Sequence, residues 1–397
     1  MRKLEILIYG ICLIAILFSC QNVQDETVTL IKQGRQIEYH IKTHLIKDSF
    51  HMKLSDYASD FEFIPLETKD ECLISYGMDY YFGDKYFLLE KRYGGIYQFG
   101  RDGRFIRKLV PEGKGPHDFW EGDWTVDEEN QILYLSDDAK KNYFLQYDLK
   151  SGAYLGDLKK AVSCRTRTIE YLKEGLIMVN TYGRYDENGL KDYVYWQDLS
   201  GKLLSSVPAR KTDAVFWSSL SNANYGDFFR LKILNNDTIY SVDNRQLTPY
   251  LTFDYGKETP TDRNAMGYVE IRIDREIEPW TILDVGTVSE LVTAKDGTLI
   301  GANSRVQYYV VDKKQKKAFH RGSTFIDPLN QYEKGHWITY NKNGWLVKLY
   351  QAVDLIETAE KALADPEFKD PYRSKFKALV NQINENDNPI LLVGRFK

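Results

Sequence analysis

Residues 97–106 read YQFGRDGRFI: an alternating aromatic strand, a polar turn and a second strand. Residues 144–155 (FLQYDLKSGAYL) and 193–204 (YVYWQDLSGKLL) repeat this arrangement. The three turns carry equivalent glycines spaced 49 residues apart, which are Gly103, Gly152 and Gly201. Because glycine readily takes the positive φ of tight hairpin turns, the repeat predicts a β-hairpin every 49 residues.

A second kind of hairpin lies between these copies, and it is clearest in residues 127–137 (DEENQILYLSD). Residues 172–178 and 294–300 have the same pattern of strand, turn and strand. One hairpin of each kind makes four strands in about 40–50 residues, which is typical of one propeller blade. The segment from Phe61 to Tyr350 has room for about six such units. We therefore expect an all-β, six-bladed propeller over residues 53–397. A solenoid and an array of β-sandwiches are the alternatives, but sandwiches need about 100 residues each.

The C-terminal tail departs from the strand pattern. Residues 354–363 predict a short helix, and apolar residues between 372 and 383 recur at the spacing of a second, amphipathic helix. Residues 389–396 predict a final strand. If that strand pairs with residues 61–66, both chain ends share one blade, which closes the ring and removes an open sheet edge.

The N-terminus has the plan of a secretory signal. Arg2 and Lys3 precede an apolar run that is too short for a comfortable membrane span, and the run ends at Ser19-Cys20. We predict a signal peptide over residues 1–19, and a tether with a leading strand over residues 20–52. An uncleaved anchor and an ordinary signal with a chance cysteine are the alternatives.

Residues 17–20, LFSC, resemble a bacterial lipobox, in which the cysteine is lipidated and becomes the first mature residue. This resemblance implies lipidation of Cys20 and attachment to a membrane through acyl chains. Gln21 follows, where Asp would retain a lipoprotein in the inner membrane, so we expect an outer-membrane location in the cell envelope. The sequence leaves open which face of the membrane carries the protein.

Composition excludes some functions. The net charge is −4, with 53 basic and 57 acidic residues, so no basic field is available for nucleic acid. After Cys20 only Cys72 and Cys164 remain, which could form one disulfide or stay as two buried thiols. Two cysteines cannot hold together a chain of this length, so its core must do so.

Four motifs carry a resemblance to a known family. They are residues 63–68 (FIPLET), residues 99–105 (FGRDGRF), Gly113-Lys114-Gly115-Pro116 with Asp127, and residues 386–391 (NDNPIL). In this order the chain resembles six-bladed β-propeller lipoproteins of Gram-negative gut anaerobes, which are similar to NHL-type propellers. The resemblance implies a fold and a location, but it does not indicate any activity.

Catalytic motifs are missing from the sequence. There is no Gly-x-Ser-x-Gly elbow, and the glycines around Lys114 lack the spacing of a phosphate loop, so they predict a connection between blades. Of the six histidines only His40 and His44 stand four apart, in a segment where strand geometry separates them by about 13 Å. We predict no metal site, no catalytic residue and no cofactor. A divalent cation in the channel is expected only if the protein is an enzyme.

Loop aromatics beside charged or amide groups are the candidate ligand-binding residues, since flat rings with hydrogen-bonding neighbours suit sugars and peptides. The candidates are His117, Asp118, Trp120, Trp124, Tyr182, Arg184, Trp217, Arg230, His336 and Trp337. For each one, packing between blades is the alternative. Together these features predict a non-catalytic binding or scaffold protein for a glycan, peptide or protein partner. The alternative is a metal-assisted hydrolase or lyase with its site at the channel mouth.

Overall fold

Antiparallel sheets repeat six times along the chain in the computed structural model. The structure describes residues 26–34, 36–50, 58–74, 77–91, 95–172, 175–181, 192–208, 219–221, 229–232, 237–243, 245–256, 269–277, 280–293, 299–321, 339–341, 345–370 and 372–396. Cys20 and the predicted signal peptide lie outside these residues.

Four strands precede the first complete sheet: β1 (Val28–Gln33), β2 (Gln36–Lys42), β3 (Ser49–Phe50) and β4 (Ala58–Pro65). Blade 1 consists of β5 (Gly77–Phe82), β6 (Tyr86–Lys91), β7 (Ile96–Gly100) and β8 (Phe105–Val110). Blade 2 consists of β9 (Gly122–Asp127), β10 (Ile132–Asp137), β11 (Tyr143–Asp148) and β12 (Tyr154–Lys159). Blade 3 consists of β13 (Thr166–Leu172), β14 (Leu176–Thr181), β15 (Asp192–Asp198) and β16 (Leu203–Pro208).

Blade 4 contains β17 (Ser219–Ser221), β18 (Phe229–Lys232), β19 (Thr238–Asp243) and β20 (Gln246–Asp254). Blade 5 contains β21 (Val269–Ile277), β22 (Trp280–Thr293), β23 (Leu299–Asp312) and β24 (Lys317–Arg321). Blade 6 contains β25 (Thr339–Asn341), β26 (Trp345–Tyr350), β27 (Ile390–Phe396) and, from the other end of the chain, β4. The predicted six-bladed propeller is confirmed.

The glycine-containing hairpin turns join the two outer strands of blades 1, 2 and 3. Gly103, Gly152 and Gly201 have φ of 82°, 79° and 80°, as the 49-residue repeat predicted. A Cβ on Gly103 would lie 2.1 Å from the Pro65 carbonyl oxygen of blade 6, and one on Gly201 would lie 2.8 Å from the Lys159 carbonyl oxygen of blade 2. These glycines are therefore required both by the turn and by close contact with the preceding blade.

Central strands are apolar on both faces because each blade is packed between two others. On β6, Phe87 and Leu89 contact a core shared with blade 6, while Tyr86 and Leu88 contact a core shared with blade 2. Further shared cores join blade 2 to 3, 3 to 4, 4 to 5 and 5 to 6. Every blade thus buries both faces against its neighbours, and the chain of cores returns to its start.

Both chain ends complete blade 6, as predicted. β27 pairs antiparallel with β26 on one side and with β4 on the other, with Leu391 opposite Ile64. Just before β27, the buried Asn388 side chain donates to the carbonyl oxygens of Glu67 (2.7 Å) and Cys72 (2.8 Å). It also accepts from the backbone N–H of Ile74 at 2.8 Å. One amide therefore connects the last segment of the chain to the connection between blades 6 and 1.

The leading segment adds strands to two blades. The β1–β2 hairpin extends blade 4, where β2 runs parallel to the outer strand β20. Strand β3 runs parallel to the outer strand β24 of blade 5. Residues 28–50 therefore pack on the rim of the ring and not at its channel.

Two helices connect β26 to β27 and confirm the predicted tail: α1 (Ala352–Ala364) and α2 (Tyr372–Val380). Their apolar faces pack on the core between blades 5 and 6. Arg373 donates to the carbonyl oxygen of Leu363 at 2.6 Å and to that of Asp365 at 3.0 Å, which satisfies acceptors at the end of α1. Neither described helix has the length and hydropathy to cross a bilayer.

Cys72 and Cys164 are both buried free thiols, which settles the two possibilities that the sequence left open.

Candidate functional site

Three connecting segments meet at one end of the ring: residues 111–121, 138–142 and 160–165. Lys140 Nζ donates to the Asp118 carbonyl oxygen at 2.8 Å, and the Asp138 N–H donates to the Glu121 carbonyl oxygen at 2.8 Å. Arg165 pairs with the Asp138 carboxylate at 2.7 Å. We call these three segments the mouth, because they surround the ends of the inner strands β9 and β13.

The loop that contains Gly113 and Gly115 is a connection between blades, as predicted, because it leads from β8 directly into the strand β9. Asp118 Oδ2 accepts from the Gly115 N–H at 2.9 Å. A Cβ on Gly113 or Gly115 would lie 2.4 or 2.6 Å from the same oxygen. The glycines therefore let the loop close around Asp118, which orders the residues that follow.

His117 and Trp120 are presented by this loop. His117 is exposed, and its ring stacks on Tyr154 of blade 2 with centroids 4.0 Å apart. The Tyr147 hydroxyl donates to the His117 carbonyl oxygen. Trp120 is half-buried, and the ammonium group of Lys114 lies 5.0 Å from its ring. The mouth thus offers aromatic faces in a fixed geometry beside a positive charge.

Trp124 lies deeper, on the inner strand β9, and contacts a buried acid. Its indole Nε1 donates to Glu90 Oε2 at 2.7 Å across the boundary between blades 1 and 2. Glu90 is 6% exposed, and burial raises its pKa to about 8, with Asp79 and Asp123 adding to the effect. The neutral, protonated form of Glu90 therefore predominates at pH 7.

Two further carboxylates accompany Glu90. Asp79 lies on the inner strand β5; its side chain is accessible to solvent, yet burial raises its pKa. Asp123, the neighbour of Trp124, accepts from the Ile169 N–H of blade 3 at 2.5 Å. Asp79 and Asp123 are on inner strands, which surround the axis of a propeller, and both charges act on Glu90, so we call these three residues the channel carboxylates. Within the described residues, no group of three His, Cys, Asp or Glu side chains is placed to hold a metal ion.

The buried Lys160 side chain closes the mouth on the side of blade 3. Its Nζ donates to Ser136 Oγ at 2.8 Å and to Thr166 Oγ1 at 3.2 Å. Burial lowers its pKa to about 8. These bonds connect blade 2 to the first residue of β13, so Lys160 positions the mouth segments.

Among the remaining predicted candidates the structure describes Arg230, which is not brought to the mouth. Arg230 is buried in blade 4, where it donates to Ser241 Oγ at 2.8 Å and its guanidinium lies 3.7 Å from the centre of the Tyr250 ring. These contacts fit the alternative interpretation of Arg230, in which the side chain packs within the fold and does not bind a ligand. The remaining candidates, Tyr182, Arg184, Trp217, His336 and Trp337, lie outside the described residues.

Sequence reasoning missed Asp79 and Glu90. A signal for Glu90 was present, because it follows three apolar residues in Phe87-Leu88-Leu89 on a strand with both faces buried. An ionisable residue at such a position requires a polar partner or neutralisation. The partner, Trp124, is on another blade and could not be inferred from local pattern.

Solved structures similar to this chain include proteins from Bacteroides species. A Bacteroides fragilis protein described provisionally as exported is 17% identical, with a TM-score of 0.60, and the match covers 88% of this chain and 99% of that one. A member of the DUF4221 family from Bacteroides vulgatus is 10% identical, with a TM-score of 0.45, covering 86% of this chain and 97% of that one.

No curated protein matches the chain. One family model, described as a domain of unknown function (DUF4934), matches residues 37–395. That range covers β2 from its second residue, and the strands of all six blades except the last residue of the closing strand β27. The chain therefore belongs to the DUF4934 family.

Proposed function

We propose that this protein is a lipid-anchored, non-catalytic binding protein of the bacterial envelope that holds a glycan or a peptide at the mouth. The observation that carries the proposal is that a single connection presents the rings of His117 and Trp120 and leads into β9, where Trp124 binds the buried Glu90. Aromatic faces bind the apolar faces of sugar rings or side chains, and the channel carboxylates accept or donate hydrogen bonds. A protein partner that inserts a loop into the mouth would use the same groups.

Ligand binding is tested with glycan and peptide arrays, followed by titration of each positive ligand. Trp120→Ala should weaken binding by about tenfold or more, because truncating an aromatic anchor in a binding site typically costs at least 1.4 kcal/mol. Tyr308→Ala is the matched control, since Tyr308 is an exposed aromatic residue on blade 5, away from the mouth. Equal losses in both variants, or none in Trp120→Ala, would reject the mouth as the binding site.

Envelope location is supported by the predicted signal peptide, the lipobox-like residues before Cys20, and the description of the Bacteroides fragilis neighbour as exported. Labelling cells with a clickable fatty acid tests the anchor. The wild-type chain should carry the label and float with membranes, and Cys20→Ser should do neither. An unlabelled wild-type chain would reject lipid anchoring and leave the binding proposal standing.

Metal analysis of the native protein distinguishes the proposed binding function from the alternative, a metal-assisted hydrolase or lyase. Stoichiometric divalent metal together with turnover of any substrate in the arrays would favour it over binding alone.

A further inference from the structure

We propose that the turn between β23 and β24, here called the lysine turn (Lys313–Lys317), docks on the phosphate groups of the membrane that carries the lipid anchor. The inference rests on the anchoring part of the proposed function. It goes beyond anchoring by specifying which side of the ring faces the bilayer, and therefore whether the mouth points towards or away from the membrane.

The lysine turn concentrates positive charge in a chain whose net charge is −4. Its sequence is Lys-Lys-Gln-Lys-Lys, and Asp312 Oδ1 fixes it by accepting from the Gln315 N–H at 2.7 Å. Lys317 pairs with Asp48 at 2.6 Å. Lys314 and Lys316 are exposed, and neither forms an ion pair with any other residue that the structure describes. Two ammonium groups are thus available to an anionic surface.

The chain enters the fold beside this turn. The Ala318 N–H donates to Thr27 Oγ1 at 2.7 Å, so Thr27 contacts the residue that directly follows the lysine turn. From Cys20 to Thr27 a fully extended chain spans at most about 25 Å. A globular protein of this length has a diameter of about 55 Å. The tether is therefore too short for the opposite rim, at blades 1 and 2, to rest on the bilayer.

The short tether limits how the ring can be oriented on the bilayer. Among the orientations that it allows, the lysines favour the one in which the lysine turn contacts the membrane. Two lysines near an anionic surface favour contact by roughly 30-fold. In a blade, the turn that precedes the outer strand and the connection that follows it lie at opposite ends of that strand. Docking through the lysine turn therefore directs the mouth away from the bilayer, where a ligand can reach it.

A fluorescence-quenching experiment on the lipidated protein tests the orientation. A probe is attached at Gln315→Cys in the lysine turn, or at Ala153→Cys beside the equivalent turn of blade 2; both positions are exposed, and neither change alters the charge. The native Cys72 and Cys164 are buried and do not compete for the probe. Each labelled protein is reconstituted into vesicles of phosphatidylcholine and phosphatidylglycerol with a headgroup quencher.

The Gln315 probe should be quenched several-fold more than the Ala153 probe. The difference should fall when Lys314→Glu and Lys316→Glu are combined, and in vesicles of phosphatidylcholine alone. Protein that floats with the vesicles but shows equal quenching at both positions would overturn the orientation and leave the anchor intact. Protein that fails to float would overturn the anchor and, with it, this inference.

Discussion

Replacing Glu90 by Gln should remove a large part of the pH dependence of stability. Glu90 is 6% exposed, and burial raises its pKa from 4.5 to about 8 in the folded protein. A carboxyl whose pKa is raised by folding contributes stability that is fully present below pH 4.5 and is lost as the pH rises towards 8. At 1.36 kcal/mol per pH unit, the loss for this one group is about 4 kcal/mol between pH 5 and pH 9.

Glu90→Gln keeps an oxygen that accepts from Trp124 Nε1 and cannot ionise. We expect the variant and the wild type to have similar free energies of unfolding at pH 5. At pH 9 the variant should be more stable by about 4 kcal/mol. Urea unfolding followed by tryptophan fluorescence and by circular dichroism at each pH measures the difference. Lys160, whose pKa burial lowers to about 8, is present in both proteins and cancels.

Glu129→Gln is the matched control, since Glu129 is an exposed acid in the turn between β9 and β10. It should leave the pH dependence of unfolding nearly unchanged. A constant difference between Glu90→Gln and wild type from pH 5 to pH 9 would refute the account of Glu90 as a buried, neutral acid.

Three further predictions concern the ring. Gly103→Ala should destabilise the fold more than Gly34→Ala in urea unfolding, because both glycines have positive φ but only the Cβ at Gly103 meets backbone, 2.1 Å from Pro65 O; equal effects, about 1–2 kcal/mol each, would contradict the contact. Asn388→Ala should cost about 3 kcal/mol, because it removes three hydrogen bonds of a buried amide, whereas Asn384→Ala at an exposed position should cost less than 0.5 kcal/mol in the same assay. Cys72 and Cys164 should react with a thiol reagent only after unfolding, because both are buried and burial raises the pKa of Cys72; rapid labelling of the native protein would contradict this.

Local features of the fold could be predicted from the sequence, because each depends on residues close together in the chain. The turn glycines require positive φ within a single hairpin, and the apolar spacing after residue 352 is that of a helix. The hydrogen bonds within these turns are equally local, since Asp148 accepts from the N–H groups of Lys150 and Ser151, two and three residues further along the chain. The closing strand could be predicted because an open edge is unfavourable in a ring.

Features that depend on contacts between distant segments could not be predicted. Nothing local in residues 28–50 indicates that β2 pairs with β20 and β3 with β24. Residues 386–391 were recognisable as a motif, but the bonds of Asn388 to residues 67–74 become visible only when the ring is closed. The channel carboxylates could not be predicted for the same reason, since the partner of Glu90 is on the next blade.

Closure of the ring through blade 6 is the central claim, because it joins both chain ends in one sheet and returns the series of shared cores to its start. Cysteines at Ser59 and Arg395, opposite each other on β4 and β27, test it directly. Ser59→Cys with Arg395→Cys should form a disulfide on mild oxidation and stabilise the fold by up to about 6 kcal/mol, because the bond closes a very long loop. Ser59→Cys with Lys377→Cys, an exposed position on α2, should not cross-link. Failure of the first pair to form a disulfide in the folded monomer would contradict the closed ring.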